Sequence, residues 1–447
     1  MTFGPPAPAP STTRPWWLDR RAWAVLALGL ASGLPSPLLF ANLSIWLREI
    51  GISRTEIGLL GLIATPYALN FLWAPLLDHL RIPWLSDRLG RRRAWALVMQ
   101  ALLALAIGAL ALVDPSDRLL LFAGMALVVA LFSATQDVAI DAYRIDVFAR
   151  AEQGKAAALG IWGWHLGGTL IGGAGGLLLA NAVGWSGAYA LIAGAMALCT
   201  LGTLLAPRPP DPDPEPEQRD EPAARGWLAT LRQSVWLPLA DLLRREGMLL
   251  ILFFIFIFRF GDALLGRMSG VFYVELGFER AEIAEVAKLY GLGANLLGLV
   301  VGGWLAQKIG LVRALVWAGL ATALTNLAYA YLAQAGRDRG AFVFAVASDS
   351  FTTGLVTVAF VAFLSALCHR AYSATQYALL ASLGNLARIW FAASAGFMVD
   401  SLDGDWTLFF IGTAVVACAG LPLVLWLQRR YPETMRTDHA ARAGAGA

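Results

Sequence analysis

Charge is scarce in this sequence. Only 15% of its 447 residues are Asp, Glu, Lys or Arg, against about 25% in an average soluble domain. Cysteine is scarcer still: Cys199, Cys368 and Cys418 stand far apart, each in or beside an apolar run. Such spacing suggests neither a disulfide framework nor a metal site. The sequence also lacks a Walker-type glycine loop, a metal-ligand cluster and a nucleophile elbow. ATP-driven transport and hydrolytic chemistry therefore have no support, and no cofactor and no enzyme activity are expected. The net charge of +3 is unremarkable, and no nucleic-acid partner is expected.

What is abundant is apolar surface. Apolar residues make up 58% of the chain and the mean hydropathy is +0.62. One soluble core cannot bury that much, whereas a bilayer solvates it directly. Windows of about 19 residues pick out uncharged runs from one end of the chain to the other. The runs predict an all-α integral membrane protein of twelve spans, at 22–46, 56–79, 93–113, 119–142, 156–181, 187–206, 248–266, 283–305, 314–334, 341–366, 376–398 and 407–428. The first residues form a Pro-rich polar tail, and the run after it is too long for a cleavable signal segment. The one long polar stretch lies between spans six and seven. It opens as "PRPPDPDPEPEQRDEP", a linker composition, and continues as "GWLATLRQSVWLPLADLLRR". There Leu228, Leu231, Val235, Leu239 and Leu242 recur at helical spacing, which predicts an interfacial amphipathic helix. The expected domains are a tail (1–21), a six-helix bundle (22–206), the linker (207–247), a second six-helix bundle (248–428) and a final tail (429–447).

Orientation follows from the basic residues. With both termini cytoplasmic, roughly 24 of the 34 Lys and Arg fall in cytoplasmic segments and about 7 in external loops. Six plus six around a polar loop is the outline of the major facilitator superfamily, two bundles about a central cavity. The loop after span two, "PLLDHLRIPWLSDRLGRRRAW", resembles that superfamily's loop signature in Asp78, Asp87, Arg88, Gly90, Arg91, Arg92 and Arg93. An insertion separates Asp78 from Asp87. The glycine permits a tight turn, and the arginines can pair with acidic helix ends in one conformer and release them in another. Gating is therefore expected of these residues and of Arg144.

The charges inside the spans are the most informative feature. Ser133, Asp137, Asp141 and Arg144 share one helical face. Arg259 and Asp262 are three apart in span seven. Lys288 falls in span eight, Asp349 in span ten and Arg388 in span eleven. A charge at mid-bilayer costs about 2.5–3.5 kcal/mol on insertion scales. Such residues are expected to face the bundle interior or a water-filled cavity. A carboxylate on that cavity is a candidate proton carrier, because a change of partners between conformers can load and unload a proton. Asp137 and Asp349 lead, having no cation at helical spacing; Asp141 and Asp262 follow, although Asp141 and Arg144 also read as a satisfied pair near the headgroups. His165, in "IWGWHLGGTLIGG", is a further candidate for titration or hydrogen bonding. Trp162 and Trp164 beside it offer sugar-stacking faces, and the glycines that follow let helices approach closely. Pro35, Pro66 and Pro75 are expected to kink spans one and two.

Together these segments resemble the AmpG family of muropeptide permeases. The matching stretches are "ASGLPSPL", "FLWAPLLD", "LGRRRAW", "SATQDVAIDAYRIDVF", "LPLADLLRREG", "FRFGDAL" and "SATQYALLASLGNLARIW", and they cover nearly the whole chain. The resemblance implies a monomer in the bacterial inner membrane that imports N-acetylglucosaminyl-1,6-anhydro-N-acetylmuramic acid, with or without stem peptide. Import would be driven by protons for cell-wall recycling, which in some bacteria feeds β-lactamase induction. Gln136, Asp137, Asp141, Asp262, Lys288, Gln376 and Arg388 match family positions of the same type. Arg144, Arg259 and Asp349 stand where the family pattern has Lys, Lys and Glu. His165 stands in place of an Arg and Asn70 in place of a possible Lys, two departures that bear on which anionic ligand is preferred. Substrate contact is thereby implied for Gln136, His165, Arg259, Lys288, Gln376, Arg388 and Asn70, and is expected of Trp162 and Trp164 from their stacking faces. The competing readings are uptake of another bulky anion, such as a siderophore or an acyl-CoA, and a non-transporting sensor of wall fragments.

Overall fold

The structure is a computed structural model that describes residues 19–148, 152–209, 244, 246–367 and 373–431. The expected amphipathic linker helix, both tails and Cys368 lie outside the described residues. Among the described residues, ten apolar helical stretches are long enough to cross a membrane. One of them, Ala156–Leu205, is two spans folded about Gly184, where φ is 77° and the helix geometry breaks. Counting that stretch twice and adding the helices Ser373–Ala392 and Ala395–Ser401, the described residues form twelve spans. The chain is a multi-pass membrane protein. Because the number of spans is even, both ends of the described chain lie on one face, here called the terminal face; the other is the far face.

The spans are Arg20–Glu49, then Arg54–Leu72 continued by Ala74–His79, Arg91–Leu110, Leu119–Val147, the pair within Ala156–Leu205, Met248–Glu275, Arg280–Ile309, Leu311–Ala335, Arg339–Leu367, the two eleventh-span helices, and Trp406–Arg430. The first two are broken where proline removes a backbone donor. Span one divides into Arg20–Gly33, Pro35–Leu39 and Ala41–Glu49. Span two passes through 3₁₀ turns at Leu60–Ala64 and Asn70–Leu72. Span seven breaks at Arg259, between Met248–Phe258 and Phe260–Glu275.

Glycine sets the packing inside each half. A Cβ at Gly29 of span one would stand 2.6 Å from the Gly160 carbonyl oxygen of span five. At Gly302 of span eight it would stand 2.8 Å from the Leu355 carbonyl oxygen of span ten. Backbones that close exclude a side chain and gain dispersion contacts in the absence of a hydrophobic drive within lipid.

Spans five and eight each contain a π-helical segment, His165–Gly175 and Ala284–Tyr290. They meet across the two halves, where Gly173 lies against the Lys288 stem. Widened turns loosen the backbone ladder, and such segments gather at functional sites. Buried Asn42 of span one donates its Nδ2 to the carbonyls of Gly172 and Gly173 at 2.9 and 3.1 Å. Replacing Asn42 with Val is expected to destabilise the fold by about 1–3 kcal/mol, the cost of buried polar groups losing their partner. A melting temperature unchanged from wild type in detergent would contradict that role.

Candidate functional site

A cavity of about 540 Å³ lies between the halves. Its wall takes Ser36 and Ser44 from span one, Gly61 from span two, Trp164 from span five, Asp262 and Arg267 from span seven and Lys288 from span eight. Tyr329, Asp349 and Arg388 complete it from spans nine, ten and eleven. Three cations thus face two carboxylates. Asp262 has the Arg259 guanidinium at 3.9 Å, and Arg259 in turn stacks 5.7 Å from the Phe360 ring centroid. Arg388 donates through Nε and Nη2 to Asn385 Oδ1 at 3.2 and 3.0 Å. Among the described residues, Asp349 and Lys288 have no ion-pair partner. The hydroxyls of Tyr273 and Tyr329 meet at 2.8 Å on the same wall.

Asp262, Lys288, Asp349, Arg388 and Trp164 are therefore brought together from residues that are distant in sequence. Other predicted residues sit elsewhere. Asp137 is part-buried within the first half and accepts a hydrogen bond from Ser32 Oγ at 2.6 Å. Gln136 is fully buried and donates to the Ala31 carbonyl at 3.1 Å, joining spans one and four. Asp141 is 67% exposed and pairs with Arg144 at 3.1 Å. His165 shares a 3.1 Å hydrogen bond with Thr169. Trp162 is exposed and is not part of the cavity wall. Asn70 opens a 3₁₀ turn of span two. Gln376 lies on the helix Ser373–Ala392, and its side chain, like that of Asp78, lies outside the described residues.

The basic loop holds contacts within the first half. Gly90 takes φ 82°, and Arg92 Nε pairs with Asp146 at 3.1 Å. Arg93 is buried and donates Nε to the Thr203 carbonyl at 3.0 Å. Arg208 reaches the Asp87 carbonyl at 3.4 Å, Arg88 lies 4.3 Å from the Trp84 ring centroid, and Arg91 is part-buried at the start of span three. Asp146, the acidic helix end this loop pairs with, was not singled out in the sequence.

Two features escaped the sequence reading. The first is Arg267, which falls just past the apolar run that marks span seven. The helix in fact continues to Glu275 through "GRMSGVFYVE", and that renewed apolar spacing is the signal that was available. The second is a belt of charge joining the halves at the far face. Glu275 of span seven accepts from Arg48 Nε at 2.8 Å, from Arg54 Nε and Nη2 at 2.8 Å each, and from Trp406 Nε1 at 2.8 Å. Arg54 also reaches Asp400 at 3.0 Å, and Thr55 donates to that same carboxylate at 2.6 Å. Across the belt, Arg280 donates Nε and Nη2 to Glu49 at 2.8 and 2.6 Å, and Glu49 takes a third donor from Trp185 Nε1 at 2.6 Å. Close backbones reinforce it: a Cβ at Gly58 would stand 2.6 Å from the Ala393 carbonyl oxygen. The cavity is shut toward the far face.

The family model of the Major Facilitator Superfamily matches residues 22–391 and 251–446. An anhydromuropeptide permease of Escherichia coli K12 is 34% identical over 420 residues, covering 94% of this chain and 82% of that protein. A putative transporter of Rickettsia conorii, AmpG 4, is 33% identical over 414 residues, covering 92% of this chain and 97% of its own. Among solved structures, a bacterial homologue of the human lysosomal transporter Spinster superposes with a TM-score of 0.65 at 15% identity, covering 94% and 98% of the two chains. That last likeness speaks to the fold.

Proposed function

The chain belongs to the AmpG transporters of the major facilitator superfamily, and from that membership we propose that it imports anhydro-muropeptides across the bacterial inner membrane by alternating access coupled to proton entry. The observation that carries the reading is the cavity between the halves, with its excess of one cation over the carboxylates. At about 540 Å³ it falls within the range of roughly 300–1,000 Å³ typical of small-molecule sites.

The substrate, N-acetylglucosaminyl-1,6-anhydro-N-acetylmuramic acid with or without stem peptide, has a lactyl or peptide carboxylate and apolar sugar faces. Arg267, Lys288 and Arg388 supply the complement to the first, and Trp164, Tyr273 and Tyr329 to the second. The terminal face is taken as cytoplasmic on the distribution of Lys and Arg. The far-face belt then closes the periplasmic entrance in this conformer. Asp349 is the leading proton carrier, since it lines the cavity without an ion pair among the described residues. The protein works as a single chain.

The test is uptake of radiolabelled anhydro-disaccharide into proteoliposomes with and without an imposed pH gradient. Accumulation above the external concentration only when the gradient drives protons inward is expected. Competition by unlabelled peptide-bearing muropeptide, and none by a siderophore or an acyl-CoA, is expected in the same assay. Saturable binding without accumulation would replace the importer with a sensor.

A further inference from the structure

Arg267 is held in an unusual way. Its Nη2 donates to the backbone carbonyl of Ile57 on span two, so the residue bridges the halves while it also lines the cavity. Its Nε is buried and has no hydrogen-bond partner. Buried donors are almost always satisfied, and an unmade bond to a charged group is costly. Among the described residues no carboxylate reaches Arg267 within ion-pair distance, although Asp262 and Asp349 line the same space. Gly61 makes the room it occupies: a Cβ there would stand 3.0 Å from Nε and 3.2 Å from Cζ.

The two atoms concerned define one edge of the guanidinium. Nε and Nη2 donate in parallel, which is the edge that takes a carboxylate with both oxygens. Arg54 uses that same edge on Glu275, through Nε and Nη2 at 2.8 Å each. In Arg267 the edge is half used by Ile57 and half orphaned against Gly61. A carbonyl supplies one acceptor where a carboxylate supplies two.

We propose that the Nε–Nη2 edge of Arg267 is the substrate carboxylate's docking point when the far face is open, and that the Ile57 carbonyl takes over this edge as spans two and seven close, displacing the carboxylate inward. Arg267 is then both a specificity-determining residue and the point where closure hands the anion on. The inference rests on the import reading above and assigns one of its contacts.

The test uses the full chain in nanodiscs, with affinities for the anhydro-disaccharide acid and for its lactyl methyl ester measured calorimetrically. Wild type should prefer the acid by about 10- to 100-fold, the range for a hydrogen-bonded charge pair. Arg267→Gln should bind acid and ester alike, and Arg267→Lys, which keeps the charge and loses the fork, should fall between them. An Arg267→Gln protein that keeps the wild-type preference overturns the inference. Spin labels at Leu112 and Ser401, on far-face ends of the two halves, give a second readout. Gly61→Ala presses on the guanidinium only when spans two and seven are together, so it should lengthen the ligand-free distance; an unchanged distance counts against the handover. A wild type that binds the disaccharide with no acid preference leaves the import reading standing and removes this assignment. A wild type that binds neither form removes both.

Discussion

Replacing Asp349 with Asn is expected to abolish accumulation against a gradient while counterflow exchange continues. Among the described residues the cavity wall has two carboxylates, and they are not equivalent. Asp262 is tied to Arg259 at 3.9 Å, three residues away on its own span, so the pair travels together whichever way the halves rock. Asp349 has no such companion among the described residues. It shares the cavity wall with the Tyr273–Tyr329 pair and with Asp262. A carboxylate without a fixed cation gains or loses a proton without breaking an ion pair, and its charge can be matched in one conformer by Lys288 or Arg388 and left unmatched in the other. Coupling requires that asymmetry. With one proton per substrate, a pH difference of one unit sustains about tenfold accumulation, since one unit is about 1.4 kcal/mol. Asparagine cannot carry the proton, so accumulation should fall to about onefold in the same vesicles. Exchange of labelled for unlabelled substrate needs no net proton movement and should stay within a fewfold of wild type. Undiminished accumulation in the variant would transfer the role to another carboxylate, with Asp137 the next to examine.

How far the sequence reached is clearest from particular residues. The twelve apolar runs were legible because bilayer thickness imposes a length on each span, and nothing in tertiary packing can override it. Asp262, Lys288, Asp349 and Arg388 were legible for a related reason: a charge inside lipid must find water or a partner, and the place where several spans can share water is between the halves. Their convergence follows from cost alone. Which charge meets which is a different question. Asp137 had the same signature as Asp349 in sequence, yet a serine on the neighbouring span holds it inside one bundle. Nothing in the spacing of span four reports on Ser32 of span one. Gln136 illustrates the same limit, being occupied by a carbonyl 105 residues away. Arg267 was lost to a boundary, because an arginine just beyond an apolar run looks like a helix end. The belt at the far face was invisible for a plainer cause. Arg48, Arg54, Glu275 and Asp400 sit beside short turns, where charge is ordinary, and their partners are up to 346 residues distant.

That belt supplies the second large expected effect. Glu275→Gln should shift the resting protein from closed to open at the far face. Glu275 is the centre of the network: it receives Arg48 and Arg54 from the first half and Trp406 from its own, and it is 16% exposed. Arg54 rests 5.6 Å from the centroid of the Trp406 ring, so the tryptophan holds both members of the pair in register. Glutamine keeps the shape and one acceptor but removes the charge, leaving Arg54 with Asp400 and Arg48 with the Ile52 carbonyl. Truncating one side of a hydrogen-bonded charge pair costs about 2–5 kcal/mol, much of it from the group left unpaired. The open conformer, in which water reaches all of these groups, does not bear that cost. A difference of about 3 kcal/mol changes the ratio of conformers by more than 100-fold. Spin labels on the two far-face rims, at Leu112 and Ser401, should show the long distance becoming the major one. The melting temperature separates this shift from unfolding, and the double variant with Arg54→Gln should recover part of the closed population, because it removes one of the two cations left without Glu275. A distance distribution identical to wild type in Glu275→Gln would mean that close backbone packing, at Gly58 against Ala393 and Gly396, holds the far face shut without help from charge.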